Sequence, residues 1–164
     1  ASQYEIGLCY RKLKRPEEAR ISFEKLASSY PTSKFAGPAY LETARTYYEE
    51  GDLEGYVAAL SLTVEKTQGR AKAEAFFLLG QVYSAEGELS KALKAYVSAA
   101  ESYGDDLESA ANGLFEAGRC ARAGKEYKVA LTMFQRAAVL LTDPQKLVEV
   151  EREIAEVTSA LSKQ

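Results

Sequence analysis

The chain has 164 residues, 46% of them apolar and 27% charged, with a formal net charge of −3 and no histidine. That is enough apolar material for a packed core and too much for a disordered chain. The charge is small, mixed in sign and free of long like-charged blocks, which argues against a polyanion partner such as nucleic acid. The missing histidine removes the commonest general base near neutral pH and the commonest metal ligand.

The longest apolar runs, Ala137 to Leu141 among them, are five residues, far short of the roughly 18 to 20 that a membrane-spanning helix needs. No membrane span is expected. The chain opens on Ala1 without a basic start and an apolar run, so a processed form or, preferably, a fragment of a longer protein is expected. Cys9 and Cys120 are too few for a disulfide framework and indicate no compartment.

A recurring unit organises the sequence. Ile6-Gly7 with Tyr10, Thr43-Ala44 with Tyr47, Leu79-Gly80 with Tyr83 and Ala117-Gly118 with Ala121 hold equivalent places, spaced 37, 36 and 38 residues apart. In chain order, residues 1–33 predict a helix, a turn at Lys14-Arg15-Pro16 and a second helix carrying Ala19, Phe23 and Leu26. Residues 35–68 repeat the plan with a turn at Gly51-Asp52 and then Tyr56, Leu60 and Val64. Residues 70–104 have a turn at Gly87-Glu88 and then Ala92, Tyr96 and Ala99. Residues 107–142 have a turn at Gly124-Lys125-Glu126 and then Ala130, Phe134 and Ala137. Steps of three and four put each set on one helix face.

The boundaries carry their own signals. Pro16 followed by Glu17 and Glu18 suits a first helical turn. Asp52, Asp105 and Asp143 are placed to cap helices, the last before Pro144. Residues 29–33 and 67–69 read as breaks between hairpins. Residues 144–164 predict a ninth helix with Leu147, Val150, Ile154, Val157 and Leu161 along one face. It is either a solvating cap or the first half of a further repeat. Pairing with another chain through this seam is a third possibility.

These residues resemble the tetratricopeptide repeat over about residues 1 to 143. The third unit carries the resemblance best, through Phe76, Leu79, Gly80, Tyr83, Gly87, Ala92, Tyr96 and Ala99, and the first follows with Tyr10, Ala19, Phe23 and Pro31. The implied fold is all-α, a right-handed α-solenoid of about four helix-turn-helix hairpins with a C-terminal capping helix. Close packing explains the pattern: Gly80 and Ala92 let two helices approach while Tyr83 and Tyr96 fill the space alongside. Ala44, Tyr56 and Ala121 depart from it, so the second and fourth hairpins are expected to be less regular.

Catalytic chemistry finds no support. Glu17-Glu18, Glu49-Glu50 and Asp105-Asp106 are neighbours, and adjacent helical residues point apart by about 100°. Residues 118–125 have the wrong glycine spacing for a phosphate loop, and no strand precedes them. Cys9 and Cys120 occupy the same repeat position and are expected to be small packing residues. No enzyme, cofactor or metal is expected.

The resemblance implies that the first helices of successive hairpins line a ligand-holding groove. Carried over unit by unit, its lining is Tyr4, Leu8, Arg11 and Lys12, then Leu41, Arg45 and Tyr48, then Phe77 and Gln81 beside Glu74, then Phe115, Arg119 and Arg122. Aromatics and arginines suit an extended or helical protein segment with apolar anchors and some acids. Phe77 and Phe115 have packing between helices as their competing role. Co-chaperone members clamp a terminal carboxylate with Lys and Asn, but Tyr4, Leu8, Glu42 and Glu74 stand at those places, so the clamp is not expected. Residues 30–39 and 44–52 are similar to bacterial envelope proteins of this repeat class, among them outer-membrane assembly lipoproteins and the coordinator of the Tol-Pal system. A non-catalytic scaffold that binds protein or peptide is expected, with self-association or the spacing of other domains as the alternative.

Overall fold

The computed structural model describes residues 2–163, which form nine α-helices and no strand. The chain divides into two compact units, residues 1–75 and 76–164. The first holds α1 (Gln3–Lys12), α2 (Pro16–Ser29), α3 (Ala36–Glu50), α4 (Leu53–Lys66) and the start of α5 (Gly69–Ala85). The second holds the remainder of α5, α6 (Leu89–Ser102), α7 (Leu107–Ala123), α8 (Tyr127–Leu140) and α9 (Pro144–Leu161). In the first unit α1 packs on α2, α2 on α3 and α3 on α4; in the second α6 packs on α7, α7 on α8 and α8 on α9.

Helix starts follow local chemistry. Ser2 Oγ accepts the Glu5 N–H at 3.3 Å while the Glu5 carboxylate accepts the Ser2 N–H at 2.7 Å, a capping box on α1. Pro16 opens α2, where its missing N–H is no loss. Asp52 accepts the Gly55 N–H and Asp143 the Gln145 N–H, each at 2.8 Å. The cap of α7 is Asp106 and not Asp105: its carboxylate accepts the Ser109 N–H at 3.1 Å. Gly104, at φ 62°, turns the chain, and Asp105 stays in that turn one residue before the cap.

Each hairpin turn has one left-handed residue at the same register: Lys14 (φ 55°), Gly51 (φ 76°), Gly87 (φ 77°) and Lys125 (φ 62°). Glycine adopts this conformation without strain, whereas a side chain there is disfavoured. The fourth turn therefore runs through Lys125, with Gly124 at φ −76°.

Interhelical packing repeats just as closely. A Cβ built on Gly7 would lie 2.5 Å from the Phe23 ring, on Gly80 2.7 Å from the Tyr96 ring, and on Gly118 2.6 Å from the Phe134 ring. The ring of each second helix thus rests on the bare backbone of the first. In the second hairpin Leu60 replaces the ring, and the fully buried Ala44 opposite it keeps its methyl group. Ala44 is therefore a matched exchange for a smaller partner.

Residues Val150 and Val157 of α9 are 2% and 1% exposed and share a core cluster with Ala130, Phe134 and Ala137. The opposite face of α9 presents Glu151, Arg152, Ala155 and Thr158 to solvent. Cys120 is buried as expected, but Cys9 is exposed. Among the described residues no helix precedes α1 to cover the face on which Cys9 lies.

Candidate interaction surface

The first unit contains a cleft of about 720 Å³ within residues 4–74. Tyr4 and Leu41 supply apolar lining, Glu42, Arg45 and Glu74 cross it with charge, and Lys34, Lys66 and Arg70 stand around it. It lies where α1, α3 and the start of α5 present their residues. Tyr4 is held in place by rings on two sides, Phe35 stacked at 5.5 Å and Phe23 at 5.7 Å between centroids.

The structure brings Tyr4, Leu41 and Arg45 into this one cleft and distributes the other expected residues elsewhere. Leu8 packs against the cluster of Phe23 and Leu26. Arg11 and Lys12 border a separate recess of about 530 Å³ with Lys14, Pro16, Glu49 and Glu50. Tyr48 is 64% exposed, with its ring 5.1 Å from that of Tyr56.

In the second unit Phe77 meets the Tyr96 ring edge-on at 5.2 Å, and Phe115 tilts against Phe134 at 5.6 Å. Both rings therefore pack on the second helix of their own hairpin. Gln81 is exposed. Phe115 and Arg119 also border a small recess of about 230 Å³ with Lys146 and Glu149. Arg119 and Arg122 line another of about 280 Å³ beside Ser84 and Cys120. Burial pushes the Cys120 thiol up from its ordinary value, the Ser84 hydroxyl lying 4.0 Å away. A protonated, buried thiol is a poor nucleophile.

The arginines expected to face a ligand are paired with glutamates of the chain itself. Arg11 pairs with Glu42 and lies 3.7 Å from Glu49. Arg45 lies 3.0 Å from Glu42 and 3.6 Å from Glu74. Arg119 lies 3.3 Å from Glu116, and Arg122 lies 2.8 Å from Glu153 and 2.6 Å from Glu156. Glu42 and Glu153 are buried, so each is a fixed counter-charge for the guanidinium beside it. Several of these pairs join first helices of successive hairpins and were invisible along a single helix. The signal lay in a recurring offset: Arg11 to Glu42 and Arg122 to Glu153 are both 31 positions apart. Among the described residues no cluster of three or more His, Cys, Asp or Glu is placed to hold a metal ion. No described helix is long and apolar enough to cross a membrane.

Residues 1–33 and residues 73–106 match models of the tetratricopeptide repeat. No curated protein matches the chain. Among solved structures, MamA superposes with a TM-score of 0.66 at 16% identity over 96% of this chain and 85% of its own. The nearly identical TPR-like repeats of a putative kinesin light chain from Podosopora anserina give 0.63 at 16% identity, covering 99% and 87%. A TPR repeats protein from Bacteroides fragilis gives 0.62 at 18% identity, covering 96% and 81%. Likeness at this identity is likeness of fold, and the shared fold class is the right-handed α-solenoid. Residues 1–33 and 73–106 are thus similar to the tetratricopeptide repeat, and the seat of ring on glycine recurs within a fold that these neighbours share over nearly the whole chain.

Proposed function

We propose that this chain is a non-catalytic scaffold that holds an extended segment of a protein partner in the cleft of its first unit. Tetratricopeptide repeats generally mediate protein–protein interaction, and the observation that carries the reading here is the cleft itself. Its apolar patch around Tyr4 and Leu41 lies beside Lys34 and Lys66. The patch takes one or two apolar anchors of the partner, and the lysines favour acids next to those anchors. Arg45 serves differently, since Glu42 and Glu74 already occupy it and an incoming carboxylate would have to compete with both. The acidic preference thus rests mainly on Lys34, since Lys66 is itself paired with the exposed Glu65 at 2.7 Å. We take α9 as the cap of the last hairpin, because its outer face is polar where Tyr4 and Phe115 stand on the earlier first helices.

The test is fluorescence anisotropy with a labelled library of apolar–acidic peptides, followed by Lys34→Glu with Lys66→Glu in the full chain. Selected peptides should lose at least about tenfold in affinity, and their salt dependence should flatten. Unchanged affinity and salt dependence would remove the cleft as the binding site.

A further inference from the structure

In the second unit α7 and α9 both pack on α8 and are tied to each other by ion pairs at two places. Near the helix starts Lys146 pairs with Glu108, and further along Arg122 pairs with Glu153 and Glu156. Between the two ties lies the recess of about 230 Å³, lined by Asn112, Phe115, Glu116, Arg119 and Glu149 together with Leu141. Small-molecule sites are larger, roughly 300 to 1,000 Å³, so this volume suits a single side chain.

The recess is the register counterpart of the cleft in the first unit, with its charge changed. Leu41, Glu42 and Arg45 recur two repeats later as Phe115, Glu116 and Arg119, but the place of Lys34 is taken by Glu108. The cleft is lined by more cations than carboxylates, and the recess by three carboxylates against two cations. Both of those cations are occupied, Lys146 by Glu108 and Arg119 by Glu116 at 3.3 Å. Glu149 is exposed and has no cation beside it among the described residues.

We propose that this recess is a second binding site of the chain, one that takes an arginine side chain from an extended segment of a protein partner. Phe115, half-buried against Phe134, offers ring surface to the guanidinium. Glu149 offers a carboxylate to the same group, and Asn112 an amide oxygen. Arginine fits this set better than lysine, because its planar guanidinium stacks on a ring and forms paired hydrogen bonds with a carboxylate. An acidic anchor is disfavoured, since Glu149 repels it and the two cations already have partners. The site is separate from the cleft proposed for the first unit, and its charge preference is the reverse.

The experiment titrates the full chain with two short extended peptides that differ only at the centre, Leu-Arg in one and Leu-Glu in the other. The Asn112 side-chain amide, followed by heteronuclear NMR, reports the recess directly. The Leu-Arg peptide should shift that resonance saturably at up to about millimolar concentration, and the Leu-Glu peptide should leave it in place. Glu149→Lys should weaken Leu-Arg binding at least about tenfold, and Glu149→Gln should weaken it less, in the same direction. Lys146→Ala should strengthen it at least about twofold, because Glu108 then becomes a further carboxylate for the guanidinium. Lys34→Ala, which probes the cleft of the first unit, should leave the shift at Asn112 unchanged, so either site can fail without the other. A Leu-Arg peptide that leaves the Asn112 amide unmoved, or one that the Glu149→Lys chain binds as tightly as the unaltered chain, overturns the proposal.

Discussion

Adding a single methyl group at Gly118 probes the packing rule of the hairpins. A Cβ there would lie 2.6, 2.7 and 2.9 Å from three carbons of the Phe134 ring. That ring is fully buried, with Phe115 5.6 Å away and Ala130 and Ala137 in the same cluster, so it has little room to swing aside. Overpacking of this kind costs roughly 1 to 3 kcal/mol. The gain in helix propensity from Gly to Ala offsets about 1 kcal/mol of that. Gly118→Ala should therefore range from about neutral to roughly 2 kcal/mol less stable, with each 1 kcal/mol worth about 2–4 °C in Tm. The decisive measurement is a double-mutant cycle by urea unfolding. With Phe134→Leu present, which imitates the Ala44 and Leu60 pair of the second hairpin, Gly118→Ala should stabilise by up to about 1 kcal/mol. The coupling should be about 1 to 3 kcal/mol. A methyl group that stabilises equally in both backgrounds would refute the reasoning, because the ring would then not be what excludes it.

The left-handed turns offer a test of opposite sign. Lys14→Gly and Lys125→Gly should each raise the urea midpoint, by roughly 0.5 to 1 kcal/mol in stability, since glycine adopts that backbone without strain. Gly51→Ala and Gly87→Ala should lower it although nothing crowds either site. Arg122→Met should destabilise by about 1 to 3 kcal/mol, because it leaves Glu153 buried without its cation. Adding Glu153→Met should recover much of that loss, and a cycle with no recovery would show that the pair is solvated in practice.

The fold was legible because its signal is local and repeated. Gly7, Gly80 and Gly118 stand at one register, and the rings they face, Phe23, Tyr96 and Phe134, each follow sixteen positions later. The errors lie where one residue decides geometry. Asp105 and Asp106 are chemically alike, and only the left-handed Gly104 selects the second as the cap. The turn at Gly124-Lys125-Glu126 falls where expected, but although it contains a glycine the hairpin register assigns the positive φ to Lys125. Cys9 and Cys120 share a repeat position but differ in burial, since covering that position takes a preceding hairpin. The candidate surface was less legible. Tyr4, Leu41 and Arg45 meet in one cleft, but Arg11 and Arg122 pair with glutamates of neighbouring helices, Arg45 with Glu42 on its own helix and Glu74 across, and Arg119 with Glu116 on its own helix. Pairing across helices cannot be read from either helix alone.

The seat of each ring on its glycine also determines what can be exchanged within such a chain. Each seat is made by one residue from each helix, so the two helices of a hairpin are a matched set. Recombination at the loops between hairpins would carry a complete set and preserve the fit. A crossover within a hairpin turn would bring the methyl group of Ala44 against the Phe134 ring, or leave Gly118 facing the shorter Leu60. Duplication and shuffling in this chain should therefore leave their breakpoints between hairpins, with the hairpin as the heritable unit.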